Sequence, residues 1–124
     1  MINWEEFNAV YGVYGNVLVI EIINSILEGD KNENPPVLSC EERMIKLKKN
    51  VDQKDFHQIL LIAHWMKGNF DIFYDWESSQ IARNLREMAR NETDTGLEAE
   101  FEKLKLVADK LVIELREYRK TLTA

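Results

Sequence analysis

Apolar residues recur at intervals of three and four along most of this chain, the spacing that collects side chains on one face of an α-helix. The pattern is most regular near the C-terminus, where it predicts a helix over about 97–118. It also predicts a helix over 53–73, and another that starts at Asp75 or Ser78. The C-terminal stripe consists of Leu97, Phe101, Leu104, Val107, Ala108, Leu111 and Leu115.

The N-terminal third of the chain has two apolar stripes and then a polar segment. The run 17–20 (VLVI) fits either a helix or a buried strand, but no other segment offers a strand to pair with it, so we expect a helix. The segment 29–38 is predicted to be a loop, because Pro35 and Pro36 forbid a helix through it. The two stripes are Phe7, Tyr11 and Tyr14, followed by Ile20, Ile23 and Leu27.

Residues that can cap helices divide the middle of the chain. Ser39 and Glu42 have the spacing of a capping box, in which the serine oxygen accepts a backbone N–H and the glutamate reaches back. The helix that follows is expected to stop near Asn50, and Asp52 is a suitable N-cap for the next one.

These elements predict an all-α fold, an up-down four-helix bundle with one or more additional short helices at the N-terminus. Short connections between the later helices favour antiparallel neighbours. A chain of 124 residues can bury one core without disulfides or a structural metal. We therefore expect a single domain over 1–124, interrupted only by the loop at 29–38.

Composition and charge exclude several classes of protein. The net charge of −6 disfavours a nucleic-acid partner, which requires clustered lysine and arginine. The longest apolar run is too short to span a bilayer, so no membrane insertion is expected. The N-terminus lacks the basic and apolar regions of a signal peptide, and the single Cys40 fits a reducing compartment. These features predict a cytoplasmic protein.

One histidine does not fit the apolar side of its predicted helix. At 100° per residue, Ile62, Met66 and Phe73 lie opposite His64, which therefore points away from the core. Apolar residues on its own side are unexpected at a solvent-facing position and suggest a surface that docks a partner. The residues that share the His64 side are His57, Leu60, Leu61, Lys67, Gly68 and Asp71.

The neighbours of His64 favour chemistry with phosphate. A neutral imidazole is a competent nucleophile near neutral pH, and phosphoryl transfer depends mainly on positioning and neutralisation of charge. Lys67 supplies an ammonium group, and Gly68 leaves a bare position although glycine costs about 1 kcal/mol within a helix. Periodicity alone leaves open that His64 is an ordinary surface residue. His57 and His64 are about 10 Å apart along the helix, too far to share a metal ion.

The run 63–68 (AHWMKG) resembles the signature of the histidine-containing phosphotransfer (HPt) domain family. The segment 81–90 is similar to the next helix of that family, and 97–118 is similar to its last bundle helix. The resemblance implies a relay protein that is not itself an enzyme and needs no cofactor or metal. Its partners would be a response-regulator receiver domain and a sensor or hybrid histidine kinase.

The resemblance also implies a role for each residue around His64. His64 would accept the phosphoryl group, Lys67 would steady the phosphoryl oxygens, and Gly68 would admit the receiver. His57, Leu60, Leu61 and Asp71 would belong to the surface that the receiver covers.

Asn69, Phe70 and Asp71 depart from the small residues that usually follow Lys-Gly in the family. These departures motivate a second hypothesis, an HPt-like module that docks on a receiver or a kinase without being phosphorylated. A third hypothesis is an unrelated helical protein that matches the motif by chance.

Overall fold

The computed structural model describes residues 1–123, and within this range the chain forms six α-helices and one short 3-10 helix at Gly12–Tyr14. Those residues contain no strand, only an isolated antiparallel bridge between Asp30 and Val37. The all-α prediction is therefore confirmed. The helices are α1 (Trp4–Tyr11), α2 (Asn16–Leu27), α3 (Cys40–Asp52), α4 (Phe56–Ile72), α5 (Trp76–Arg90) and α6 (Leu97–Thr123).

The last four helices surround most of the core. α3 packs against α4 and α6, and α5 packs against the same two helices, while α2 lies along α6. The buried apolar side chains form one continuous cluster, because each of these helices turns its apolar stripe inward. The largest fully buried side chains of the cluster from α3 to α6 are Leu47, Ile59, Met66, Phe70, Leu85, Phe101, Leu104 and Leu115.

An aromatic cluster attaches α1 to the rest of the protein. The ring of Phe7 stacks on that of Phe73, with centroids 4.8 Å apart, and Trp4 lies 4.0 Å from the ring of Tyr118. The backbone N–H of Asn3 donates to the Phe73 carbonyl at 3.0 Å. The N-terminal helix is thereby fixed to the end of α4 and to the far end of α6.

The first apolar stripe of the sequence is interrupted earlier than its spacing predicts. α1 ends at Tyr11, and Gly15 adopts a φ of 89°, a left-handed conformation that breaks the helix before α2. Tyr14 lies in the 3-10 helix and is 69% exposed, so the prediction that it continues the apolar stripe of Phe7 and Tyr11 was wrong. The run 17–20 is helical, and Ile23 is buried as expected.

The capping box at the start of α3 is confirmed, since Ser39 accepts from the Glu42 N–H and Glu42 accepts from the Ser39 N–H. The prediction that Asp52 caps α4 was wrong. α3 continues through Asp52 because Val51 is drawn into the core, and Asp55 caps α4 by accepting from the Gln58 N–H.

The three turns that join α3 to α6 begin with the same hydrogen-bond pattern. In each, a residue with positive φ follows the helix, and two N–H groups return to carbonyls of its last turn, as in a Schellman motif. The residue with positive φ is Lys54, Tyr74 or Glu92, never glycine. After the second turn, Asp75 accepts from the Ser78 N–H, which confirms the first of the two predicted starts of α5.

No helix within residues 1–123 is both long enough and apolar enough to cross a lipid bilayer.

Candidate functional site

α4 carries His64 on its outer side. Ile62, Ala63 and Met66 are buried against the core, whereas His64 itself is exposed. The helix is fixed on both sides of the histidine, because Ile59 and Phe70 are fully buried one and two turns away. The imidazole is thus presented to solvent from a rigid element, on the side that the helical wheel predicts.

α5 brings an arginine to this imidazole. Arg86 Nη1 lies 3.3 Å from His64 Nδ1, although the two residues are 22 positions apart. A guanidinium group can only donate hydrogen bonds, so Nδ1 accepts and a neutral ring carries its proton on Nε2. The Arg86 side chain is 16% exposed, so the guanidinium approaches His64 from the interface between α4 and α5.

Lys67 is held in an ion pair one turn beyond His64. Its Nζ lies 2.7 Å from Asp71 Oδ2, and the two side chains are 26% and 32% exposed. The other carboxylate oxygen of Asp71 accepts from the hydroxyl of Ser79 on α5. Asp71 therefore bonds to both helices that form the site.

The electrostatic surroundings keep Asp71 ionised. Burial alone would raise its pKa, but hydrogen bonds from Lys67 and Ser79 outweigh that effect, and the positive charges of Lys67 and Arg86 act in the same direction. The pKa of Asp71 is lowered as a result. The carboxylate remains negative at neutral pH and offsets the charge of the neighbouring ammonium group.

Gly68 is exposed and has open space beside it. A Cβ atom built on Gly68 would have no neighbouring heavy atom within 4 Å. Packing therefore does not require glycine at this helical position, and a side chain there would project into solvent next to His64.

The proposed partner-binding residues fall into two groups. His57 is exposed and Leu61 is 48% exposed, so both are accessible on the His64 side. Leu60 is half-buried because it packs against the core cluster. It therefore contributes less to the exposed surface than its position on the helical wheel predicts. No group of three or more His, Cys, Asp or Glu residues in the described part of the chain is arranged to hold a metal ion.

No protein-family model, curated protein or solved structure matches this chain.

Two members of the site, Arg86 and Ser79, were not predicted from the sequence. The sequence does contain a feature that could have predicted the position of Arg86. This residue lies one turn after Ala82 and next to Leu85, at the edge of the buried apolar stripe of α5. A charged residue at the edge of an apolar stripe is brought close to the neighbouring helix. Ser79 has no comparable signal, since a buried serine in a helix occurs for many reasons.

The assembled site places His64 in contact with Arg86, whose Nη2 also lies 3.5 Å from a Glu87 carboxylate oxygen, and Lys67 lies one turn further along α4. His64 offers ring nitrogens, and Arg86 offers several N–H donors in a planar group that suits the oxygens of a phosphoryl group. Lys67 supplies a second positive charge that Asp71 already engages. This set can bind and receive a small oxyanion.

Proposed function

We propose that this protein is an HPt-type phosphorelay carrier, which accepts a phosphoryl group on His64 from the aspartyl phosphate of one receiver domain and passes it to an aspartate of another. The observation that supports this most directly is the contact of Arg86 with His64, since it adds a phosphoryl-binding donor to the run 63–68. The chain would be a substrate of its partners and not an enzyme.

The proposed transfer requires little from this chain beyond positioning. An unprotonated ring nitrogen of His64 donates an electron pair to phosphorus, and the P–O bond to the receiver aspartate breaks. The carboxylate leaves with that electron pair, and the ring proton is released to solvent. Arg86 turns from Nδ1 to the phosphoryl oxygens, whose charge increases as the loose transition state forms.

The packing of the helices supports the same proposal. We propose that α3 to α6 form an up-down four-helix bundle with α1 and α2 as the additional N-terminal helices. The connections 53–55 and 73–75 are three residues long, and such short connections suit antiparallel neighbours. A cytoplasmic location and a kinase that supplies the first phosphoryl group are parts of this proposal.

The decisive experiment measures transfer from a panel of phosphorylated receiver domains to the wild-type protein and to His64→Gln. His57→Gln is the control for the identity of the acceptor, because it removes the other of the two histidines; loss of a docking contact changes the rate of labelling, whereas loss of the acceptor abolishes the label. Acid-labile, alkali-stable label on the wild type and on His57→Gln, but not on His64→Gln, is the expected result. Equal labelling of His64→Gln would exclude His64 as the acceptor.

A second function, docking without phosphorylation, is favoured by two observations. Asp71 engages Lys67, and the exposed Leu61 provides an apolar contact that needs no phosphoryl group. The two functions separate in a binding measurement. A docking module would retain receiver affinity and biological output in His64→Gln, whereas a carrier would retain affinity but lose output.

A further inference from the structure

Asp71 occupies a central position between Lys67 and α5. Its Oδ2 atom accepts from Lys67 at 2.7 Å, and its Oδ1 atom accepts from the Ser79 hydroxyl. The side chains of Asp71 and Lys67 are both about two-thirds or more buried. Partial burial strengthens such a pair relative to the fully exposed lysine–aspartate pairs of a helix surface.

The Lys67–Asp71 pair lies on the C-terminal side of His64 along α4. Along α4, Lys67 follows His64 by one turn, and Asp71 follows Lys67 by another turn. The Lys67 ammonium group therefore bonds to a carboxylate that lies further from His64 along the helix, and Ser79 donates to the same carboxylate from the second helix. Arg86 is the cation that remains in contact with the imidazole.

We propose that Asp71, anchored by Ser79, is a positioning residue that withholds Lys67 from the phosphoryl site and so limits how strongly the site holds a phosphoryl group. This inference rests on the proposed carrier function. A carrier must release the group as well as accept it, and a second free cation would favour the phosphorylated form. The Asp71 carboxylate reduces that preference by neutralising Lys67.

The first test uses inorganic phosphate as the probe and does not require any receiver. Phosphate is titrated into the wild type and into Asp71→Asn, and the NMR signals of the Lys67, Arg86 and His64 side chains are followed. The wild type should respond at Arg86 and His64, whereas Asp71→Asn should respond at Lys67 as well, with an affinity about three- to tenfold higher.

Asp109→Asn is the matched control for the change of charge. Asp109 pairs with Lys105 at 3.1 Å in the same i,i+4 arrangement, on α6 and beside the groove between α3 and α6. The Asp109→Asn variant should bind phosphate at His64 with the same affinity as the wild type. Equal affinities in Asp71→Asn and Asp109→Asn, or no phosphate response at Lys67 in Asp71→Asn, would overturn the inference.

Two further variants separate positioning from a merely structural role. Ser79→Ala removes the anchor and should raise phosphate affinity by a smaller factor than Asp71→Asn. Asp71→Glu keeps the charge and should restore a value near that of the wild type. If all three variants change affinity only in proportion to their loss of melting temperature, Asp71 has a structural role and the inference fails.

The second test measures the equilibrium of phosphoryl exchange with a receiver domain. Asp71→Asn should shift this equilibrium toward phosphorylated His64 by about the same three- to tenfold factor. Transfer that occurs but has the same equilibrium in Asp71→Asn and Asp109→Asn would contradict the inference and leave the carrier function intact. Tighter phosphate binding without any receiver transfer would contradict the carrier function alone.

Discussion

Arg86 Nη1 of α5 lies 3.3 Å from His64 Nδ1 of α4, so the imidazole already has a charged hydrogen-bond donor beside it. The Nε atom of the same guanidinium is buried and has no hydrogen-bond partner within the described residues. Arg86 therefore gives up part of its solvation without full compensation inside the protein. Such an arrangement is costly for stability and is useful where an anion arrives.

Replacing Arg86 with glutamine should slow phosphoryl transfer to His64 about 10- to 100-fold, because a charged donor to the phosphoryl oxygens is lost. The melting temperature should change little, since the buried Nε makes no hydrogen bond and the ion pair of Nη2 with Glu87, at 3.5 Å, is a weak one. Rates of transfer from a phosphorylated receiver, measured alongside thermal unfolding, test this. Arg83→Gln, an exposed arginine of the same helix, should transfer at the wild-type rate. Equal slowing by both variants would indicate a general effect of charge.

Substitutions at Gly68 should have different effects on the free energy of unfolding and on the approach of a receiver to His64. Gly68→Ala should raise the free energy of unfolding by about 1 kcal/mol, because alanine is the better helix former and open space surrounds the position. Gly68→Gln should fold normally but slow transfer, since its side chain would project beside His64. Thermal unfolding and receiver transfer measure the two effects.

Gly15→Ala is a suitable comparison for Gly68→Ala, because its added Cβ would also meet no atom within 4 Å. Gly15 has a φ of 89°, however, so the substitution should lower stability there. A wild-type rate of phosphoryl transfer in Gly68→Gln would show that the approach of the receiver to His64 does not depend on the absence of a side chain at this position.

Phe73→Ala should destabilise the protein by about 3–5 kcal/mol, because the ring is fully buried and stacks on Phe7. The free energy of unfolding in urea is the appropriate measurement. Tyr14→Ala should change it by less than about 0.5 kcal/mol, since that aromatic ring is 69% exposed. A large decrease in the free energy of unfolding of Tyr14→Ala would mean that the 3-10 helix packs more tightly than the exposure of Tyr14 indicates.

The stability of the protein should fall in alkaline solution through Cys40. Burial, with a smaller contribution from the nearby Glu41 and Asp109 carboxylates, raises the pKa of its thiol from 9.0 to about 12. The unfolded chain therefore loses this proton at lower pH than the folded protein does. The contribution to stability is complete below pH 9 and is lost between pH 9 and 12, at about 1.4 kcal/mol per pH unit.

Urea unfolding of the wild type and of Cys40→Ala across this pH range tests the effect of the thiol. Other groups that titrate are common to the two proteins, so their contributions cancel in the difference. The stability advantage of the wild type should shrink as pH rises above 9. A difference that is independent of pH would contradict the assignment to Cys40.

The helices themselves could be predicted from the sequence because their apolar stripes are long and regular. The segment 97–118 was correctly assigned, although α6 extends to Thr123, and the Ser39–Glu42 capping box marked the start of α3 correctly. These signals are local, and each can be recognised within one helix.

The ends of the helices were predicted less well for a specific physical reason. The sequence signal for a helix C-terminus is glycine in the left-handed position, and here that position is held by Lys54, Tyr74 and Glu92. Without this signal, α3 was predicted to end near Asn50, and Asp52 was assigned to the next helix.

The candidate site could be predicted only as far as one helix determines it. The exposure of His64 follows from the periodicity of α4 alone. The contact with Arg86 and the hydrogen bond from Ser79 depend on how α5 is rotated and shifted against α4, which no single helix specifies. Asp71 was expected to belong to the surface that a receiver covers, whereas the structure shows that its carboxylate pairs with Lys67 and accepts from Ser79.

The site lies entirely within the hairpin formed by α4 and α5, which a three-residue turn connects. Bringing His64 and Arg86 together therefore requires closure of only a short length of chain, and the associated loss of loop entropy is small. Contacts of low sequence separation also form early in folding. We expect the hairpin to assemble before α1 attaches to Phe73, so slow docking of the N-terminus would delay completion of the core but not formation of the histidine's surroundings.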